Sequence, residues 1–138
     1  MTFRSILIVD DEENQRFLVA QALRTLACDW LIATAASGHE ALEAIGEHTP
    51  DLIITDYNMP DIDGFELTRR IRGTVGSHQL RIIGVSSSTD RLLSARFLKA
   101  GGNDFIMRPF IDEEFYCRVN QNLDTLTQIR TARQRQQA

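Results

Sequence analysis

Polar residues follow four of the short apolar runs in this sequence. Asp10 and Asp11 come after the first of these runs, Asp56 after the second, Ser86 after the third and Arg108 after the fourth. Three carboxylates within several ångströms raise one another's pKa values, so such a group favours a bound divalent cation. Oxygen ligands alone favour Mg²⁺ over Zn²⁺. The residues therefore suit a magnesium site flanked by a hydroxyl and a positive charge, provided that the fold brings them together.

The apolar runs and the patterns between them predict alternating strands and helices. Each run is short, as expected for strands that helices cover on both faces. The runs are ILIV (6–9), WLIATA (30–35), LII (52–54), IIGV (82–85) and FIM (105–107), and the mixed run at 30–35 fits an edge strand. Helical spacing recurs in five sets, namely Val19, Leu23 and Leu26; Ala41, Leu42 and Ile45; Leu67 and Ile71; Leu93, Phe97 and Ala100; Phe115, Val119, Leu123 and Leu126. This alternation indicates a doubly wound α/β fold with a parallel five-stranded sheet, because parallel neighbours need crossover helices.

Local signals mark the ends of two predicted helices. Ser37 and Glu40 have capping-box spacing at the start of the second helix. The pair at 101–102, two glycines, supplies a stop after the fourth helix. Ser88 or Thr89 is expected to cap the start of that fourth helix.

The predicted fold gives the polar residues a common location. In open parallel sheets, ligands bind outside the carboxyl ends of the strands. All the polar residues named first follow such an end, so we expect them to converge. Two simpler interpretations stay open. Asp10 and Asp11 could serve merely to begin a helix, where acidic residues are favoured. Arg108 could be a plain surface charge.

Composition narrows the class of protein. The chain has 138 residues, 43% of them hydrophobic, which suits one globular domain with one core. A net charge of −4 argues against a general nucleic-acid or membrane-surface binder, since both need clustered Lys and Arg. Cys28 and Cys117 lie far apart and suggest neither a disulfide framework nor a zinc site, which fits a reducing cytoplasm. Neither a signal peptide nor a membrane-spanning run is predicted.

Four segments in order resemble the receiver domain of two-component response regulators. They are VDDEEN (9–14), ITDYNMPDIDGFEL (54–67), GVSSST (84–89) and GGNDFIMRPF (101–110), and the resemblance covers nearly all of residues 4–126. It implies a flavodoxin-like fold with strand order 2-1-3-4-5, a receiver domain over 1–126, and a helical extension or linker over 127–138. It also implies a phosphoacceptor that takes its phosphoryl group from a histidine kinase or histidine phosphotransfer protein, not an enzyme with its own catalytic output.

The resemblance also implies roles for individual residues. Asp56 is the phosphoacceptor. Asp11 holds Mg²⁺ directly, Asp10 holds it directly or through water, and the backbone carbonyl of Asn58 completes the protein ligands together with Asp56. Phosphorylation switches the surface formed by the fourth helix, fifth strand and fifth helix.

Three further positions belong to the switch that the resemblance implies. Ser86 matches the switch hydroxyl, and Phe105 matches the switch aromatic, although Phe105 fits an ordinary core residue equally well. Arg108 stands where the family has a lysine. Lys99, the one lysine of the chain, lies near the end of the fourth helix and is a poor substitute. Because a planar guanidinium needs more room than an ammonium, an alternative function is a receiver-like interaction module with weak or no phosphorylation.

Other enzyme classes do not fit the sequence. A haloacid-dehalogenase-like phosphatase needs DxDG directly after its first strand, whereas DIDG (61–64) follows a proline in a predicted loop. Neither GxGxxG nor GxxxxGK[ST], the phosphate-binding loops of nucleotide enzymes, occurs.

The end of the chain has two interpretations. Val119, Leu123 and Leu126 form an apolar stripe that Ile129 nearly continues. The stripe could bury itself against a second copy in a short coiled coil, giving a homodimer through the fifth helix and its extension. Alternatively, the helix packs on its own domain. The stretch 103–123 also resembles receivers that precede diguanylate cyclase domains, so such an output domain is an expected partner, and no helix-turn-helix follows the receiver.

Overall fold

The computed structural model describes residues 4–26 and 29–137, so Cys28 lies outside the described residues. Five strands alternate with five helices along the chain. The strands are β1 (Arg4–Val9), β2 (Trp30–Ala35), β3 (Leu52–Asp56), β4 (Arg81–Ser86) and β5 (Asp104–Met107). The helices are α1 (Glu13–Leu26), α2 (Gly38–Glu47), α3 (Gly64–Arg72), α4 (Leu92–Lys99) and α5 (Asp112–Gln137). Every apolar run predicted as a strand is part of one.

The sheet is parallel and has the order β2-β1-β3-β4-β5, which confirms the predicted flavodoxin-like topology. Alternate residues of β1 point to opposite faces of the sheet. Ile6 and Ile8 join one buried cluster with α1 and α5, whereas Leu7 and Val9 join a second cluster with α2, α3 and α4. This burial on both faces explains why the strand reads as an unbroken apolar run.

Two of the three predicted helix ends are confirmed. The Ser37 hydroxyl accepts a hydrogen bond from the Glu40 N–H at 3.1 Å, and Gly101 ends the α4 region with a φ of +112°, which favours glycine. The predicted cap of α4 was wrong. Asp90, not Ser88 or Thr89, accepts the N–H of Leu92 at 2.9 Å. Ser88 instead accepts the Asp90 N–H and so shapes the preceding loop.

Helix α5 packs its apolar stripe on its own domain. Val119, Leu123 and Leu126 are all buried, and the first two belong to the core cluster. Beyond them, the Arg130 guanidinium pairs with Asp51 at 2.8 Å and donates to a loop carbonyl. The helix continues to residue 137 without a break, so its attachment to the domain extends at least to Arg130. The boundary proposed at 126 remains a prediction.

Candidate functional site

The three carboxylates predicted to converge do so at the carboxyl ends of β1 and β3. One oxygen from each of Asp10, Asp11 and Asp56 lies within 4.8 Å of the others. Asp10 is buried, Asp56 is largely buried and Asp11 is exposed. A cluster open on one side, with oxygen donors only, fits a Mg²⁺ ion that keeps part of its water shell.

Local contacts hold Asp10 at the base of this cluster. Its N–H donates to the carbonyl of Ala35 in neighbouring β2, and its side chain accepts the N–H of Glu12 at 3.0 Å. The Arg16 guanidinium donates to the Asp10 carbonyl at 2.7 Å, which ties the first turns of α1 to the loop. The sequence reasoning missed Arg16. In the sequence, Arg16 looks like an ordinary exposed arginine of a helix, and nothing in its spacing from Asp10 indicates a contact.

Arg108 points into the carboxylate cluster. One guanidinium nitrogen lies 3.1 Å from an Asp10 oxygen, and the other lies 3.6 Å from an Asp56 oxygen. The side chain is 21% exposed, so the surface-charge interpretation is wrong. The Arg108 N–H also donates to the Ser86 carbonyl at 2.8 Å, which fixes the start of the side chain at the end of the sheet. A planar fork can serve two carboxylates at once, one with each nitrogen.

The environment of Asp56 disfavours its charged form. Burial raises the pKa of Asp56 from 3.8 to about 6, and the neighbouring Asp10 and Asp11 carboxylates act in the same direction. The positive charge of Arg108 opposes them and lowers the pKa. The mutual repulsion expected from the sequence is therefore present, and Arg108 offsets only part of it. A cation in the cluster would favour the ionised carboxylate that a nucleophile requires.

The remaining predicted site residues lie around this cluster. Ser86 ends β4, is fully buried, and its hydroxyl accepts the Ser88 N–H at 3.0 Å. Asn58 is exposed in the loop after β3. In the sheet, Asp56 is paired with Val85 and Ser86 with Met107, so the hydroxyl lies one residue beyond the neighbour of Asp56.

Phe105 belongs to an aromatic group that connects the site to α4. Its ring lies 6.2 Å from that of Tyr57, edge to face, and 5.7 Å from that of Phe97. Gly84 makes room for the group, because a Cβ there would come within 2.9 Å of Phe97 and 3.0 Å of Phe105. Phe105 is only half-buried, unlike Phe97, so its ring reaches both the core and the surface.

The sequence reasoning also missed a cavity that lies next to Arg108. This cavity of about 510 Å³ lies between α1 and the start of α5. Its lining combines apolar side chains with Arg108 itself, and includes Leu18, Val19, Pro109, Phe110 and Phe115. Leu18 is 58% exposed. The helical period of α1 predicted its buried face, which includes Val19, but gave no reason for an exposed apolar residue beside that face.

Comparison with known proteins agrees with the fold. The family model described as "Response regulator receiver domain" matches residues 6–120. A solved structure described as a "probable two-component system response regulator/GGDEF domain protein" is 41% identical with a TM-score of 0.84, over 90% of this chain and 50% of that one. The chain belongs to the response regulator receiver family.

Two curated relatives are similar over most of this chain. The transcriptional regulatory protein AfsQ1 of Streptomyces coelicolor is 37% identical, over 76% of this chain and 44% of its own length. The transcriptional regulatory protein PrrA of Mycobacterium tuberculosis is 31% identical, over 86% of this chain and 49% of its own length. The chain thus spans about half the length of these relatives or less. Among the described residues, no helix is long and apolar enough to cross a membrane.

Proposed function

We propose that this domain is a phosphoacceptor that takes a phosphoryl group onto Asp56 with Mg²⁺ in the acidic cluster. One observation carries the proposal: the Asp56 carboxylate lies within 4.8 Å of Asp10 and Asp11 while Arg108 reaches the same pocket. Asp10, Asp11 and Asp56, with the Asn58 carbonyl, would hold the metal. Bound Mg²⁺ would neutralise charge on the transferring phosphoryl group.

The chain's own residues supply the nucleophile and its surroundings. An Asp56 oxygen attacks the phosphorus of a phosphohistidine, an O–P bond forms, the P–N bond breaks, and the imidazole nitrogen keeps the electron pair. Arg108 lies where it can donate to the transferred group, and guanidinium–phosphate contacts are strong. The Ser86 hydroxyl would donate to a phosphoryl oxygen once it turns from the Ser88 N–H.

A labelling experiment tests the proposal. Purified chain is incubated with a small-molecule phosphodonor, with Mg²⁺ or with a chelator, and its mass is followed over time. The expected result is one added phosphoryl group that depends on Mg²⁺ and maps to the peptide containing Asp56. An unchanged mass with both the small donor and a panel of histidine kinases would favour the alternative, a receiver-like interaction module that takes no phosphate.

The kinase partner is expected to dock on the apolar cavity beside Arg108. We predict that Leu18→Arg lowers the rate of phosphorylation by a kinase active on the wild type by about tenfold or more, since a central apolar contact is lost. Phosphorylation by the small donor should stay unchanged. Leu31→Arg is the matched control, because Leu31 is equally exposed but lies on edge strand β2, outside the cavity. Equal effects of the two substitutions would contradict this docking surface.

The aromatic group around Phe105 is expected to relay phosphorylation to the surface formed by α4, β5 and α5. A ligand shifts such a switch only if it binds one packed arrangement better than the other. We therefore predict that the phosphoryl mimic beryllofluoride changes amide NMR shifts through residues 90–120, and that Ser86→Ala keeps the pocket changes but loses the remote ones. Shifts confined to the pocket in the wild type would argue against a relay.

Self-association through α5 stays a prediction, and the buried stripe limits where it can occur. Ile129 is half-buried, and residues 132–137 are exposed. We expect concentration-dependent dimerisation that the mimic strengthens, measured by sedimentation. The control chain should end at Thr131, which keeps Leu126 and the Arg130 ion pair with Asp51. A full chain that stays monomeric, or a truncation without effect, would contradict it.

A diguanylate cyclase domain is the output partner we propose, since the 41% identical structure carries a GGDEF domain in its description.

A further inference from the structure

Helices α3 and α4 carry an uneven share of the charge of the chain. Of the 15 Lys and Arg residues, six lie at 64–72 and 91–99, whereas only one of the 19 Asp and Glu residues does. They are Arg69, Arg70, Arg72, Arg91, Arg96 and Lys99, against Glu66. These two helices therefore carry a basic face on a chain of net charge −4, to which the half-buried Arg72 does not contribute, because its guanidinium donates to the Gly101 and Leu80 carbonyls. Such a local patch attracts anions to one place on an acidic protein.

A groove of about 640 Å³ lies between these two helices. This volume is within the range of small-molecule sites, roughly 300–1,000 Å³. Two rings, three basic side chains and one carboxylate line it, namely Tyr57, Phe65, Arg69, Arg96, Lys99 and Asp63. None of the residues of the carboxylate cluster is part of this lining.

Two of the basic groups are available to a ligand. Arg69 is already neutralised by Glu66, with a contact of 2.6 Å. In the part of the chain that the structure describes, neither Arg96 nor Lys99 makes an ion pair. Both are exposed and lie three residues apart on α4, which places them on the same side of that helix. A single anionic group can therefore contact both.

Aromatic surface lies next to these cations. Tyr57 is buried and Phe65 half-buried, so the groove has an apolar wall as well as a charged one. Arg96 lines the same groove as the Tyr57 ring, so a cation and an aromatic side chain face one ligand volume.

We propose that this groove binds a nucleotide, with its phosphates on Arg96 and Lys99 and its base against Phe65. A planar base offers a face to an aromatic side chain, and a phosphate accepts several charge-assisted hydrogen bonds. Neither glycine-rich phosphate loop occurs in the sequence, so side chains and not backbone amides hold the phosphates. The two aromatic rings of the lining favour this ligand over an acidic protein segment, which would need only the charges.

Titration calorimetry with ADP, in a chelator to exclude metal-mediated binding, tests the proposal. ADP should bind at least about tenfold more tightly than adenosine or pyrophosphate, because each lacks one half of the recognised chemistry. Arg96→Gln and Lys99→Gln should each weaken ADP binding by about tenfold, the loss of one charge-assisted contact. Asp63→Asn should strengthen it by roughly two- to fivefold, since removal of a nearby like charge favours the phosphate and asparagine still caps α3.

Two controls separate a specific site from general attraction. Arg91→Gln removes the same charge from an exposed position of the basic face outside the groove, so it should change binding less than about twofold. Asp56→Asn should leave ADP binding unchanged. The proposal fails if ADP does not saturate the chain, if Arg91→Gln weakens binding as much as Arg96→Gln, or if Asp56→Asn abolishes it. A hexaglutamate peptide that binds more tightly than ADP would also overturn it, in favour of an acidic protein partner.

Discussion

The Asp56→Asn variant is expected to take up no phosphoryl group and yet, at pH 7 without Mg²⁺, to unfold with a higher free energy than the wild type. Loss of labelling follows because the amide is not a nucleophile. Greater stability follows because burial and the neighbouring carboxylates raise the pKa of Asp56 to about 6. A charge held near other like charges is a cost that the neutral amide removes. We expect the free energy of unfolding to rise by about 1 to 3 kcal/mol. The upper limit is the full pKa shift of Asp56 converted to free energy. The lower limit allows for screening by solvent.

The gain should depend on pH with a defined sign. A carboxyl group whose pKa is higher in the folded state than its ordinary 3.8 binds its proton more tightly on folding. Its contribution to stability is thus fully present below pH 3.8 and is lost as pH rises through about 6. The difference between Asp56→Asn and the wild type should be largest above pH 7 and much smaller at pH 4, as measured by urea unfolding at each pH.

Asp61 supplies a control of opposite sign. Although burial opposes it, hydrogen bonds from the N–H groups of His39, Ile62 and Gly38 hold the pKa of Asp61 well below its usual range. Asp61→Asn should therefore lower the free energy of unfolding at pH 7. If both substitutions destabilise the chain at pH 7, the carboxylate cluster is not under electrostatic strain. If Asp56→Asn still gains a phosphoryl group, the acceptor is another residue.

Arg108→Ala is expected to change two properties of the site in opposite directions. Without the guanidinium, which lies between Asp10 and Asp56, the cluster loses a competing positive charge, so Mg²⁺ should bind more tightly. Phosphoryl transfer should nevertheless slow by about 100- to 1,000-fold, the range typical for loss of one group that stabilises developing charge. Mg²⁺ affinity is read from the rise in melting temperature, and transfer from the rate of labelling by a small donor.

Arg108→Lys distinguishes the shape of this group from its charge. An ammonium is a compact point charge that cannot serve two carboxylates with separate nitrogens. The resemblance to receiver domains implies a lysine at this position, so we expect Arg108→Lys to be phosphorylated faster than the wild type or to keep its phosphoryl group longer. Rates that stay unchanged in both Arg108→Lys and Arg108→Ala would show that Arg108 has no part in transfer.

Much of the fold was predictable because its signals are local. Each strand follows from a short apolar run that needs cover on both faces, and the run at 6–9 is the clearest case. Once parallel strands alternate with helices, their carboxyl ends must share one edge of the sheet. That geometry alone predicted that Asp10, Asp11 and Asp56 would meet, although Asp10 and Asp56 are 46 residues apart in sequence.

Other features depend on packing that no local pattern contains. The stripe at Val119, Leu123 and Leu126 predicted an apolar helix face, but only the folded chain showed that its own core covers that face. The predicted cap of α4 was wrong, because loop geometry and not residue type decides which side chain reaches the first turn. Arg91 holds the cap position without a side-chain cap hydrogen bond, and the preceding Asp90 accepts the N–H of Leu92.

The place of Arg108 in the chain is a local property, whereas the direction of its side chain depends on the folded protein. The sequence placed a positive charge after the last strand of the sheet. Whether a long, flexible side chain turns to solvent or to a cluster of carboxylates depends on the electric field there, and that field arises from residues as distant as Asp10, 98 positions away. The raised pKa of Asp56 has the same origin, since burial and neighbouring charge exist only once the chain is folded.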